Sequence, residues 1–507
     1  MHSALLIDEV LEDILEHCAD WSSNDYRWTL SQLARSCKAW KDPALDRLWK
    51  RLDDVEPLAR LACRDDGKTI EEEAVIAYNF KLYASRVKHV VFKSTPQSSL
   101  VSRTLPSFPT FPYLKHAVIQ GDGCLLPPQF LLSPSLQDLD VDLRGTRNCA
   151  GVRHRSHQLA ETLCNVSSLM TTLQKLRIKG FMATTLDHII PSFASLRSLT
   201  LLTSSSLSVD TLAALGELGN LQDLYVHASN LDADDFTQAI SLQTSQPFPV
   251  LHNLRIRAQR SLFCAILDVI PSDTLRSLYL ETEESAQGPS AWNATFTLIA
   301  AKASNTLIDI TLDQILDPEE LESNLTTSGA DTRFAIETLQ PLGKLRALRR
   351  LTIDAMLLPD FTDRDIDQMA SWWTQLEHLD LGGLPDGQDH AEAPKITAAA
   401  LRALAKRCPR LRSLSIPLDS ASCSQEPCGA VVVQQKALER LVVGPPPADE
   451  HVAAFVRSVI HIFPCVREIE CASADKSLSV DVQGAGRAHA LDVEHPKGTS
   501  DGFANGQ

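Results

Sequence analysis

A six-residue pattern, apolar–x–x–apolar–x–apolar, returns along most of the chain and limits its fold more than any other feature. Good copies are Leu136/Leu139/Val141, Leu173/Leu176/Ile178, Leu196/Leu199/Leu201 and Leu221/Leu224/Val226. They continue with Leu251/Leu254/Ile256, Leu275/Leu278/Leu280, Leu307/Ile310/Leu312 and Leu348/Leu351/Ile353. The last are Leu376/Leu379/Leu381, Leu411/Leu414/Ile416, Leu438/Leu441/Val443 and Val466/Ile469/Cys471. Leu114/Ala117/Ile119 is a weaker opening copy, and Val87/Val90/Phe92 is weaker still. One such triad arises by chance; twelve in succession do not. In an extended segment the second and third apolar residues point to the same side and pack inward. The first fills the layer beneath, and a copy closes its core only by stacking on its neighbour.

From Leu114 to Val466 the copies recur about every 29 residues, with steps of roughly 22 to 41. That period and pattern resemble the leucine-rich repeat. The fold class expected is α/β: an irregular solenoid with short parallel strands on its concave face and helices on its convex face. Insertions fall near residues 144–165, 284–305 and 313–345. The clearest helical stretch runs from Ile396 to Pro409, with Thr397 as N-cap and Leu401, Leu404 and Cys408 on one face. Its Cys408-Pro409 ending resembles the cysteine-containing form of the repeat. Phe111-Pro112, Phe248-Pro249 and Phe463-Pro464 make the same helix-to-strand corner, where proline stops a helix and favours an extended residue before it.

With 507 residues, 44% of them apolar, the chain suffices for two to four ordinary domains or one long array. Its 48 Lys and Arg against 64 Asp and Glu leave a formal charge of −16, which argues against nucleic-acid or anionic-membrane partners. No apolar run reaches membrane-spanning length, and the first residues lack a secretory pattern. Twelve scattered cysteines read as reduced thiols, so cytoplasmic and/or nuclear residence is expected. The sequons at Asn165, Asn293 and Asn324 carry no meaning without a secretory route. No phosphate-binding loop, dinucleotide fingerprint, zincin His pair or nucleophile elbow is found. His154 and His157, beside Arg153 and Arg155, suit an exposed loop, and Cys423 and Cys428 lack a second pair at zinc-finger spacing. No catalytic residue, metal or cofactor is expected, and the chain is read as a non-enzyme.

The first sixty residues follow a helical period instead. Val10, Leu11, Ile14, Leu15 and Cys18 stripe one helix opposite Glu9, Glu12, Asp13 and Glu16. Leu30, Leu33, Ala34 and Cys37 suggest a second helix. A third is expected to start with Asp42 as N-cap and Pro43 at its first position, and to carry Leu45, Leu48, Trp49 and Leu52. Residues 1–26 hold seven acidic side chains and no Lys or Arg, whereas residues 27–60 hold eight basic and five acidic ones. Three helices of this size make a small core, which a partner covering apolar surface would relieve.

Leu6-Ile7-Asp8-Glu9-Val10-Leu11-Glu12-Asp13-Ile14-Leu15 resembles the opening of an F-box. Leu33-Ala34-Arg35-Ser36-Cys37-Lys38-Ala39-Trp40 resembles its middle, and Pro43-Ala44-Leu45-Asp46-Arg47-Leu48-Trp49 its final helix. The likeness covers roughly residues 5–52 and is closest to fungal F-box/leucine-rich-repeat proteins. Ile7 stands where many F-boxes carry proline, keeping apolar surface without the preset backbone angle. The domains read as 1–60 F-box-like helices, 61–110 a linking or capping segment, 111–473 the solenoid and 474–507 a disordered tail.

The resemblance implies a substrate receptor that docks the Skp adaptor, and through it a cullin, of a ubiquitin ligase. It assigns adaptor contact to Leu6, Ile7, Val10, Leu11, Ile14, Leu15, Leu45, Leu48 and Trp49, without dividing core from interface. The solenoid would hold a protein substrate of unknown identity near a ubiquitin-loaded enzyme, so that transfer gains from proximity. Strand alternation puts on the concave face the residues just before the second apolar position and those between the second and third, the latter being Asp140, Arg177, Thr200, Tyr225, Arg255, Tyr279, Thr311, Thr352, Asp380, Ser415, Val442 and Glu470. Arg177, Tyr225, Arg255 and Tyr279 are the substrate-binding candidates, for an acidic or phosphorylated peptide, because Tyr and Arg are enriched at binding hot spots. The alternative is a repeat scaffold unconnected to ubiquitination, with the N-terminal helices only as a cap.

Overall fold

Every good triad becomes a strand, with the expected alternation of buried and outward residues in all but that of Leu414 and Ile416, where Ser415 is buried as well. In the computed structural model the described residues are 7–18, 22–62, 78–93, 111–120, 131, 133–144, 149–180, 188–203, 207–242, 246–283, 289–315, 335–354, 360–382, 395–420, 433–444, 451–471 and 478–481. The chain forms two compact units, Met1–Leu231 with Asp235–Val250, and Asp232–Asp234 with Leu251–Gln507.

The first unit opens with α1 (Asp8–His17), α2 (Ser23–Ser36) and α3 (Lys38–Lys50). Leu11, Leu15, Leu30, Trp40 and Ala44 form their core, with Leu33, Ala34 and Leu48 packed against it. The third helix begins earlier than expected: Cys37, in extended backbone, precedes it, and Pro43 lies inside it. Proline there removes one helical hydrogen bond, but burial of Trp40 and Ala44 on either side holds the helix through it. α3 runs straight into β1 (Arg51–Leu52). Parallel strands follow in chain order: β2 (His89–Phe92), β3 (His116–Gln120), β4 (Asp138–Asp142), β5 (Lys175–Gly180), β6 (Ser198–Thr203) and β7 (Asp223–His227).

The second unit carries β8 (Asn253–Arg257), β9 (Ser277–Thr282), β10 (Asp309–Gln314), β11 (Arg350–Asp354), β12 (His378–Asp380), β13 (Ser413–Ile416), β14 (Arg440–Val443) and β15 (Glu468–Cys471). All eight pair parallel, again in chain order. Helices such as Arg260–Val269, Asp363–Trp372, Ala398–Arg407 and Val452–Ile462 connect them. Within each unit this is the leucine-rich-repeat arrangement, strand and return segment stacked in sequence.

Side chains at the corners stitch each repeat to its predecessor. Ser133 and Thr172 donate hydroxyl hydrogen bonds to the carbonyls of Leu114 (2.9 Å) and Leu136 (2.8 Å). In the second unit Gln435 donates to Leu411 O (2.7 Å) and accepts from Leu438 N (2.9 Å). Phe111, Phe248, Cys408 and Phe463, each before a proline, are wholly buried. Thr397 caps its helix as expected, accepting from Ala399 N at 3.2 Å.

Two segments differ from expectation. His154 and His157 lie on a helix, Cys149–Val166, rather than a loop. Within the segment read as disordered, Leu478–Asp481 forms β16, antiparallel to β15. Cys423, Cys428 and the tail beyond 481 lie outside the described residues. No described helix is long and apolar enough to cross a membrane.

Candidate protein-binding surfaces

α1 divides its apolar residues between two tasks. Leu11 and Leu15 are 0% exposed in the helical core. This corrects their assignment as adaptor contacts, because a side chain without accessible surface touches no partner while the unit stays folded. Ile7 is 49% exposed at the N-cap of α1, where it offers no capping side chain. Val10 and Ile14 are half-buried, and spacings of three and four place them beside Ile7 on the helix surface. Leu6 lies outside the described residues.

Leu45, Leu48 and Trp49 on α3 are also half-buried. Leu48 serves the core, and the Trp49 ring stacks at 4.9 Å from Tyr83. Arg47 fastens α3 to α1, bonding the Glu16 carboxylate at 2.7 Å and the Glu12 carbonyl at 3.0 Å. Periodicity overlooks Trp28, which is 66% exposed on α2. Its one sequence signal is phase, since it falls on the polar side of the helix defined by Leu30, Leu33 and Ala34.

On the strands, the outward row lies in the register the repeat implies. Asp140, Arg177, Thr200 and Tyr225 are successive partners in the first unit. Arg255, Tyr279, Thr311, Thr352, Asp380, Ser415, Val442 and Glu470 are successive partners in the second. The four substrate-binding candidates thus fall two in each unit. Arg177 pairs with Asp140 at 3.3 Å, and the Tyr225 ring meets His227 edge-on at 5.8 Å. The Arg255 guanidinium lies 3.9 Å from the Tyr279 ring centre, a cation–π contact, and Tyr279 donates to Asp313 at 2.7 Å. Burial and the Asp313 carboxylate push the Tyr279 phenol above its ordinary range, so it remains a donor.

A shallow groove of about 650 Å³ opens on β10–β15. Its charges alternate: Arg350 faces Asp309 at 3.7 Å, and Arg440 reaches Glu470 at 2.7 Å and Glu468 at 3.4 Å. His378 stands between them, its pKa lowered by burial and by Arg350. Thr311, Thr352 and Ser415 line the remainder. Such a mixture of donors and acceptors suits the backbone and polar side chains of a peptide. Sequence reasoning favoured tyrosine and arginine between the second and third apolar positions. The groove is built equally from the other expected concave set, just before the second, where Asp309, Arg350, His378 and Arg440 stand. Among the described residues no group of three His, Cys, Asp or Glu is placed to hold a metal ion.

No family model matches the chain, and no curated protein matches it. Similar solved structures include the crystal structure of the Rad7 and Elc1 complex in yeast. That match is 18% identical with a TM-score of 0.41, covering 83% of this chain and 98% of that one. Another is an internalin (inlF) from Listeria monocytogenes str. 4b F2365, 13% identical with a TM-score of 0.34, covering 78% of this chain and 88% of that one.

Proposed function

We propose that this chain is the non-catalytic substrate-recognition subunit of a Skp–cullin–F-box type ubiquitin ligase. In this reading the α1–α3 unit docks the Skp adaptor, and through it a cullin, while the outward strand rows hold a protein substrate. The observation that carries the proposal is Ile7. A large apolar residue half in solvent at a helix N-cap breaks both the capping preference and the burial preference of its position. Val10 extends the apolar surface beside it, together with the part of Ile14 that its packing on the helical core leaves exposed, within the segment that resembles the F-box opening. A protein partner would remove this surface from water. The mixed-charge groove on β10–β15 and the Arg255–Tyr279 pair supply the polar and aromatic contacts for substrate.

The second reading, a scaffold whose helices only cap the array, also has an observation behind it. α3 continues directly into β1, and Arg86, beyond the helix over residues 78–84, reaches Asp42 at 2.7 Å and also bonds Asp46 on α3. The two readings part on the adaptor. Size-exclusion chromatography of the full chain with purified Skp adaptor gives a one-to-one complex under the first and separate peaks under the second.

A further inference from the structure

Three successive strands of the first unit begin with the same kind of dipeptide. β1 is entered through Lys50-Arg51, β2 through Lys88-His89 and β3 through Lys115-His116. The parallel register sets Arg51 opposite His89 and His89 opposite His116. Backbone bonds from Lys88 N to Lys50 O (3.0 Å) and from Lys115 N to Lys88 O (2.8 Å) align the lysines as a second row. Adjacent strands lie about 4.8 Å apart, so the lysine row stacks like charges on neighbours, while the other row sets Arg51 beside two imidazoles. With Arg47 they line a cleft of about 500 Å³.

Little within the cleft balances this charge. Glu16 is the one carboxylate among its lining residues, and Arg47 binds it at 2.7 Å. Arg51 shares Asp53 at 3.3 Å, and His116 Nδ1 lies 2.6 Å from Asp138. Lys50, Lys88 and Lys115 form no salt bridge among the described residues. Cations are favoured in the last turn of a helix, which accounts for Arg47 and Lys50 at the end of α3. Lys88 and Lys115 enter strands and serve no helix end. Burial, together with Arg51 and His116, holds the His89 imidazole below its ordinary pKa, as a site with excess positive charge would. The chain as a whole carries −16, so a general surplus of basic residues does not explain the cluster.

We propose that this cleft is a binding site for a multiply charged phosphate group. Five permanent cations in one concave site call for an anion of more than one charge. Arg47 and Arg51 already hold Glu16 and Asp53, so the three lysines supply the point charges for the phosphate oxygens and the guanidinium groups flank them. The ligand is either a compact free polyphosphate or clustered phosphates on a peptide. Its lining residues are other than Ile7, Val10 and Ile14 and other than those of the groove on β10–β15, and it does not depend on the adaptor reading.

The test is calorimetric titration of the full chain, at two ionic strengths, with sodium tripolyphosphate. A peptide carrying two adjacent phosphoserines and its unphosphorylated form are titrated in parallel. Saturable one-to-one binding is expected, with the variant Lys88→Gln/Lys115→Gln about tenfold or more weaker and less sensitive to salt. Lys88→Arg/Lys115→Arg should keep the affinity. The glutamine variant should melt no lower than wild type without anion, because it removes two repelling charges. Should that variant not fold, exposed Lys50→Gln reports the same loss. Tighter binding of tripolyphosphate identifies a free polyphosphate as ligand, and tighter binding of the phosphopeptide identifies a modified protein. Equal binding of wild type and glutamine variant, or of phosphorylated and unphosphorylated peptide with no response to tripolyphosphate, overturns the proposal.

Discussion

Ile7 and Leu11 stand four residues apart on α1 and are held by opposite forces. Leu11, wholly buried, is a core residue, and Leu11→Ala should cost about 2–5 kcal/mol in chemical denaturation of the helical unit. Ile7→Asp should do the reverse. It places a good N-cap where none exists, stabilising α1 by roughly 0.5–2 kcal/mol, while removing the exposed apolar surface. Stabilisation accompanied by lost binding is the signature of a residue kept for function. Thiol reactivity gives a second test at this scale. Burial pushes the Cys408 thiol up to about 12 and that of Cys471 to about 11, whereas Cys164 and Cys465 are exposed. Iodoacetamide at pH 8, read by peptide mass spectrometry, should label Cys164 and Cys465 and spare Cys408 and Cys471 until the protein unfolds. The imidazoles set a pH dependence. Burial, then nearby arginines, depress the pKa of His89 and His378, so the folded chain binds fewer protons there than the unfolded one. Their contribution is fully present above about pH 6.5 and is lost as pH falls through the folded values. Melting temperature should therefore rise from pH 5.5 to 7, with a shallower rise in His89→Gln/His378→Gln.

Strands were legible because their signal is local and redundant: the triad fixes both the segment and the side that packs inward. The proline corners were legible in burial, as Phe111, Phe248, Cys408 and Phe463 show, but Phe248 takes a φ of 52° rather than the extended backbone expected before its proline. The start of α3 was not, because the Asp42-Pro43 cap signal is overridden by the packing of Trp40, a tertiary contact. β16 escaped notice because pairing with β15, rather than its own pattern, forms it. At the candidate sites the outward rows could be read from register, but their occupancy could not. Arg177 faces Asp140 and Arg255 covers Tyr279 across neighbouring strands, so isolated residue types overstated how many groups stand free. Two substitutions test the stitching of repeats. Gln435→Ala should cost roughly 1–3 kcal/mol, since it leaves the Leu411 carbonyl and Leu438 N–H without their side-chain partner. Gly343→Ala would bring a methyl to 2.7 Å from the Trp372 ring and should cost about 1–3 kcal/mol. Urea denaturation of each variant measures both.

For the molecule as a whole, repeat architecture and charge define a division of labour. A chain of net charge −16 confines a basic cluster to the entrances of β1–β3, an apolar surface to the start of α1, and a mixed-charge groove to β10–β15. At the first two the local rules of charge pairing, burial or capping are broken, whereas the groove keeps its charges paired and the repeat cores obey those rules. The central claim, that the α1 surface docks an adaptor, is tested most directly by co-purifying the full chain with the organism's own Skp adaptor. Wild type is compared with Ile7→Asp/Val10→Asp, whose acidic side chains suit the first turn of a helix, and circular dichroism checks the fold of both. The account predicts adaptor with wild type and none with an equally or more stable variant. Equal recovery with both proteins would contradict it by taking the adaptor off the Ile7 surface, and no adaptor with well-folded wild type would contradict it and leave the helices as a cap.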